Sequence, residues 1–259
     1  APLRDAGHVH PRDADHAPLR DAASDLDAAL KREFQDAGLC DRVIAVSEAE
    51  AQVLRRAGLS NVSVIGHMRD LRLTPRSFAE RSGMLFLGAI HEAGSPNHDA
   101  LEWFIEQVLP LIEKELGWQT RLTVAGYLAP GVDLERWRGH RRVTLRGAVS
   151  DPVVLYETHR MVVAPTRFAA GIPYKVHEAA SFGVPVVATS LLAGQLGWRD
   201  GDELLAAGAD DPAGFAAAVI RLSHDEELWG RLREAAAGRI AAEHGRERYA
   251  AAVGEILDL

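Results

Sequence analysis

Between residues 84 and 207 six short runs are apolar almost without interruption: "MLFLGA" (84–89), "RLTVAG" (121–126), "RVTLRG" (142–147), "MVVAP" (161–165), "PVVAT" (185–189) and "ELLAA" (203–207). Each has the length of a strand, and helical or turn patterns separate them. A strand that is apolar on both sides must be covered on both faces. Such strands alternating with helices make a parallel sheet between two helical layers. Six of them suit an α/β fold with a doubly wound parallel Rossmann-like sheet. In open sheets of this kind ligands sit beyond the carboxyl ends of the strands, so residues just after strands are the candidates for function.

The helical pattern supports this alternation. A long amphipathic helix is expected from Asn97 or Asp99 through "HDALEWFIEQVLPLIEKEL", with Trp103, Phe104, Val108 and Leu111 as core positions. Shorter helices are expected near 151–159 and 173–182, then two closing helices at about 212–222 and 225–257. Upstream, "DRVIAV" (41–46) and "VSVIG" (62–66) read as strands flanking a helix to about Ala57. Ser47 and Glu50 form a capping box that opens that helix. Asp25 to Ala37 reads as a further helix. Residues 67–82, "HMRDLRLTPRSFAERS", have little periodicity and read as a linker. Residues 1–24 are polar and rich in His and Asp, a weakly ordered leader. This divides the chain into 1–24, a partial N-terminal domain with its linker at 25–82, and a nucleotide-binding domain at 83–259.

Composition sets limits. The net charge of −8 disfavours a nucleic-acid or acidic-membrane partner. The single Cys40 excludes an internal disulfide and fits a reducing compartment. No run approaches the roughly 20 apolar residues that span a bilayer. The expectation is a soluble, cytoplasmic protein.

The stretch "GIPYKVHEAASFGVPVVAT" (171–189) concentrates the chemistry. It follows the fourth main strand. Gly171 lets a ligand approach the backbone closely, and Pro173 suits the first turn of a helix. A helix N-terminus offers N–H groups and a partial positive charge, to which Lys175 adds a full one. Glu178 lies on the same face, three residues on. A diphosphate beside Lys175 and a ribose diol beside Glu178 would use both groups. The plain alternative is a surface i,i+3 ion pair.

The same stretch resembles the donor-site signature of family-4 retaining glycosyltransferases of GT-B fold. "DRVIAVSEAEAQVL" resembles the end of their N-terminal domain. "MLFLGAIHEAGSPNHDALEWFIEQVLPLI", "LTVAG", "VTLRGAVSD" and "MVVAPTRFAAG" resemble successive pieces of the C-terminal domain. The resemblance covers about residues 41–259. It implies a nucleotide-sugar donor, an acceptor hydroxyl of unknown identity, and polysaccharide biosynthesis as the setting. Glu178 would hold the ribose, and Lys175 with the backbone around Ala170 and Gly171 the diphosphate. Gly88 would let the first loop pass close to the phosphates, and Gly147 to Asp151 would border the base. It implies no cofactor and no metal, because cations and a helix terminus stabilise the departing nucleoside diphosphate.

The chain departs from that pattern in three places. The family's earlier glutamate, eight residues before Glu178, is Ala170. No arginine follows Gly88, so Arg167 or Arg146 would have to compensate. The acceptor-side domain is represented only in part: "RDADHAPLRD" resembles a strand-end loop of it, which makes His16 a catalytic-side candidate, while a polar leader is the plain reading. Hence the alternative function, a non-catalytic nucleotide-sugar-binding module that needs a partner polypeptide or a dimer to supply the acceptor half. Asp13 and Asp15 imitate a metal-binding Asp-x-Asp, but no strand precedes them; His8, His10 and His16 form a surface cluster that could take a metal adventitiously. A Rossmann dehydrogenase is disfavoured, since "GAIHEAGSPN" replaces the G-x-G-x-x-G fingerprint.

Overall fold

Short apolar runs flanked by glycine and proline cannot continue as helices, and in the computed structural model each of the eight expected runs contains a strand. Residue 32 and residues 34–169 and 171–257 are described. The leader at 1–24, most of the expected 25–37 helix, His16 and Ala170 lie outside them. The chain divides into two units, residues 1–64 and 65–259.

In the first unit β1 (Val43–Ala45) and β2 (Val62–Val64) pair in parallel around α1 (Glu48–Arg56). The Ser47 hydroxyl accepts from the Glu50 N–H at 3.2 Å, and the Glu50 carboxylate accepts from the Val46 N–H at 2.7 Å. This is the expected capping box with its return bond one residue early. Ala45, Ala51, Leu54 and Leu59 form a small core.

The second unit holds β3 (Met84–Leu87), then α2 (Pro96–Trp103), which runs through a π-helical turn at Phe104–Val108 into α3 (Leu109–Leu116). It continues with β4 (Leu122–Ala125), α4 (Glu135–Arg138), β5 (Val143–Gly147), α5 (Val153–Thr158) and β6 (Met161–Ala164). Next come α6 (Tyr174–Ser181), β7 (Val186–Thr189), α7 (Ser190–Leu196) and β8 (Leu205–Ala207). The closing helices are α8 (Pro212–His224), α9 (Glu226–His244) and α10 (Arg246–Leu257). The six strands are all parallel, in the order β5-β4-β3-β6-β7-β8. Counted within the unit this is 3-2-1-4-5-6, the doubly wound order with its reversal between β3 and β6. β6 and β7 are buried at every position, whereas the edge strand β5 alternates. One core, with Phe86, Trp103, Phe104, Ile112 and Phe215, covers one face. The other, with Tyr156, Val176, Phe182 and Trp198, covers the opposite face. Among the described residues no helix is long and apolar enough to cross a membrane.

Three readings change. Leu111 is not core: it is 39 % exposed, and Ile112 is buried in its place. The π-helical turn inserts one residue into the helical phase and turns the next residue inward. The expected 225–257 helix breaks at Gly245, whose backbone is extended (φ −64°, ψ 154°). The Arg69 N–H takes up the His244 carbonyl at 2.8 Å. Finally, the segment 67–82 has no helix or strand, yet it is more than a connector. Arg72 N–H donates to Ser181 O and Thr74 N–H to Phe182 O. Arg81, 1 % exposed, donates to Tyr156 O at 2.5 Å and to the Thr74 hydroxyl at 2.6 Å. Backbone acceptors surround this guanidinium, and burial lowers its pKa to about 10.

Candidate functional site

The reversal between β3 and β6 opens a crevice beyond their carboxyl ends, because the chain leaves the two strands toward opposite sides. Its floor is backbone. Gly88, directly after β3, donates its N–H to Ala125 O at 2.9 Å, and a Cβ added to Gly88 would lie 2.9 Å from Asn97 Nδ2. Gly126, directly after β4, has φ +134°, and a Cβ there would lie 2.2 Å from Gly88 O. Gly126 needs glycine so that the strand ends can lie this close, whereas at Gly88 an added side chain would press on the Asn97 amide.

Lys175, in the first turn of α6, reaches back over this floor. Its ammonium donates to Asn97 Oδ1 at 2.5 Å, and Asn97 Nδ2 donates to Ala89 O at 2.8 Å. The Phe86 ring lies 5.1 Å from the Lys175 Nζ. Burial pushes the Lys175 pKa down from 10.5 to about 8. A cation held against an amide and an aromatic ring keeps much of its charge uncompensated, which is the kind of perturbed group found at functional sites. Arg167, from the loop after β6, forms a fork with Asp99 of α2, its Nε 2.9 Å from one carboxylate oxygen and a terminal nitrogen 2.5 Å from the other. Asp99 holds the Arg167 pKa above its ordinary value.

Glu178 turns to partners other than Lys175. One of its oxygens accepts from Arg69 at 3.1 Å and the other from the Tyr156 hydroxyl at 3.0 Å. Tyr156 is fully buried and stacked on Phe182, and burial raises its pKa, as does the Glu178 charge. Arg69 also lies 4.5 Å over the Tyr174 ring. Lys175 and Glu178 therefore turn to different partners, and the surface ion-pair alternative does not describe them.

The sequence from 81 to 225 matches the family model described as Glycosyl transferases group 1. The chain belongs to this family. Solved structures with the same fold include an S. aureus TarM mutant in complex with Fondaparinux, alpha-GlcNAc-glycerol and UDP (17 % identity, TM-score 0.75, 87 % of this chain and 45 % of that one). Anabaena HepE in complex with UDP and glucose (16 %, 0.72, 90 % and 67 %) is another. So is sucrose-phosphate synthase from Thermosynechococcus elongatus (19 %, 0.68, 96 % and 63 %). The chain spans less than half the length of TarM. No curated protein matches it. The sheet is that of a GT-B glycosyltransferase Rossmann-like domain.

In this group 1 glycosyltransferase chain the structure brings Gly88 and Lys175 together through Asn97, and places Arg167 beside them through Asp99, two residues further along α2. Gly171 (φ +80°) precedes α6, with open space where a side chain would project. Gly147 (φ +70°) ends β5, Arg146 beside it is exposed, and Asp151 accepts from the Val153 N–H at 3.0 Å at the start of α5. Ala170 and His16 are outside the described residues. Asn97, Asp99, Tyr156 and Arg69 were not among the candidates. Asn97 and Asp99 carried only a helix-start signal. Arg69 lies 109 residues from Glu178 in a segment without periodicity, so no local pattern could reveal it. Chemically, a half-buried cation, a glycine floor and a helix N-terminus make a cradle suited to a phosphate-type anion.

Proposed function

We propose that this chain carries the donor site of a retaining glycosyltransferase, taking a sugar from a nucleoside diphosphate sugar to an acceptor hydroxyl. The observation that carries the reading is Lys175, half-buried against Asn97 at the sheet's reversal point. In this reading the diphosphate lies over Gly88 and Gly171, and Lys175 with the first turn of α6 holds it. As the glycosidic bond breaks, the negative charge grows on the β-phosphate, and the Lys175 ammonium stabilises it more in the transition state than in the ground state. The acceptor oxygen attacks on the face the phosphate leaves, so the anomeric configuration is kept. No metal takes part at the diphosphate. Glu178, held by Arg69 and Tyr156, retains lone pairs for the ribose hydroxyls. Arg167 is committed to Asp99 and supports α2; it contacts the diphosphate only if that fork opens. Because UDP is bound by HepE and TarM, it is the first nucleotide to try.

Titration calorimetry with UDP and with inorganic phosphate tests this. Lys175→Ala should weaken both by about tenfold or more, since a charge-assisted contact contributes about 1.5–3 kcal/mol. Glu178→Gln should weaken UDP and leave phosphate unchanged, as phosphate has no diol. Unchanged UDP affinity in both variants would refute the site. The second reading is a binding module that acts only with another polypeptide. Ala170 in place of the family's earlier glutamate favours it. A structural neighbour, the GtfA/B complex (16 % identity, TM-score 0.63, 88 % of this chain and 47 % of that one), also makes it concrete. UDP binding without any turnover of UDP-sugars would select that reading.

A further inference from the structure

Three imidazoles meet on the side of α6 away from Lys175. His67 comes from the segment after β2, His177 from α6 itself, and His244 from the last residue of α9. One ligand nitrogen from each lies within 4.8 Å of the other two. His177 Nδ1 and His67 Nε2 are 3.1 Å apart. Ring centroids are 4.2 Å apart for His177 and His244, and 4.8 Å for His67 and His244.

This arrangement is poor packing for its own sake. Each imidazole carries one N–H and one lone pair; His177 is buried and His67 and His244 are half-buried, so these groups are cut off from much of their water. A Phe or Leu cluster would fill the same space without that cost. The tautomers also point to a shared centre. His244 Nδ1 lies 3.1 Å from the His67 carbonyl, to which it donates, so its Nε2 carries the lone pair. This is the backbone orientation that metal-bound histidines receive from their surroundings. The facing nitrogens of His67 and His177 lie within hydrogen-bond distance of each other. The separation of those nitrogens is close to the roughly 3.3 Å that two nitrogens adopt about 2.0–2.1 Å from a tetrahedral zinc.

Arg69, Arg239 and Arg248 disfavour added positive charge here, an effect that carboxylates offset at the first two. Arg69 is paired with Glu178 at 3.1 Å, and Arg239 with Glu243 at 3.0 Å and Glu203 at 3.7 Å. Burial, the neighbouring histidines and nearby arginines hold the pKa of His67 at about 4 and that of His177 at about 2, and burial lowers that of His244. Tyr174 lies beside His67 and Trp198 beside His177, each ring within 5.5 Å.

We propose that His67, His177 and His244 bind one divalent transition-metal ion, with zinc the occupant whose tetrahedral preference and nitrogen chemistry fit best and the fourth position left to solvent. Three protein nitrogens with an open position are a known zinc arrangement. The ion ties the segment at 67, the α6 helix and the end of α9 together. It does so next to Arg69 and Glu178, and independently of what the diphosphate cradle binds.

The experiment is calorimetric titration of the metal-free full chain with zinc, paired with the visible spectrum of its cobalt(II) form. Histidines 8 and 10 could bind metal by themselves, so a His8→Ala/His10→Ala variant is the reference. One zinc per chain is expected in the reference. His244→Gln and His67→Gln should each weaken it by more than about tenfold, and the cobalt form should show the intense bands of four-coordinate cobalt. Should either Gln variant fail to fold, the cobalt spectrum of the reference protein decides alone. The proposal is overturned by three results: zinc bound no more tightly than by His244→Gln, zinc lost in the reference variant, or a six-coordinate cobalt spectrum in the reference.

Discussion

Lys175→Met should make the nucleotide-free protein more stable at neutral pH while weakening nucleotide binding. The lowering of the Lys175 pKa from 10.5 to about 8 means the charged form is disfavoured in the fold. At roughly 1.4 kcal/mol per pKa unit, that amounts to about 3 kcal/mol. Methionine keeps the stem and discards the charge, but it leaves Asn97 Oδ1 without the bond it accepts at 2.5 Å. An unpaired buried acceptor costs about 1–2 kcal/mol. The net gain is about 1–2 kcal/mol, or roughly 2–8 °C in Tm for a chain of this size. The pH dependence is specific. The unfolded chain holds the Lys175 proton up to about pH 10.4, and the folded chain releases it near pH 8. Wild type therefore gains stability between those values, and the penalty is full below pH 8. The methionine variant should lead at pH 7 and lose its lead by about pH 10.5. Thermal melts of both proteins at pH 7 and pH 10 measure this, since other titrating groups cancel in the difference. Excess UDP should raise the Tm of wild type by more than that of the variant. A variant less stable than wild type at pH 7, or a difference that ignores pH, would refute the reasoning about a strained half-buried ammonium.

The remaining expectations concern the scaffold. Gly126→Ala places a Cβ 2.2 Å from the Gly88 carbonyl at φ +134°, so it should cost about 3 kcal/mol or more in urea unfolding. Arg81→Met removes the donors to Tyr156 O, Thr74 Oγ1 and Arg76 O; a loss of about 2–4 kcal/mol is expected, with faster amide exchange at Thr74. Ser47→Ala removes the cap that accepts from Glu50, and about 1 kcal/mol of α1 stability should go with it, read as faster exchange of the first-turn amides.

The order of elements was legible in the residues because its signals are local. A four-residue, nearly all-apolar run such as Met-Leu-Phe-Leu (Met84–Leu87) or Val-Val-Ala-Thr (Val186–Thr189) fits inside a two-faced sheet. Ser47 with Glu50 marks a helix start whatever surrounds it. Lys175, Gly88 and Gly171 could be singled out because ligands gather after the strands of such a sheet. The partners of those residues could not. Asn97 meets Lys175 across 78 residues and Arg69 meets Glu178 across 109. Neither distance leaves any periodic trace, because side chains brought together by strand order share no local spacing. The π-helical turn that exchanges Leu111 for Ile112, and the break at Gly245, are likewise choices of packing over propensity. His67, His177 and His244 are scattered singly along the chain. Only the folding of the 65–82 segment onto α6 and the end of α9 gathers them, because three separate backbones must first pack before three imidazoles can share one space.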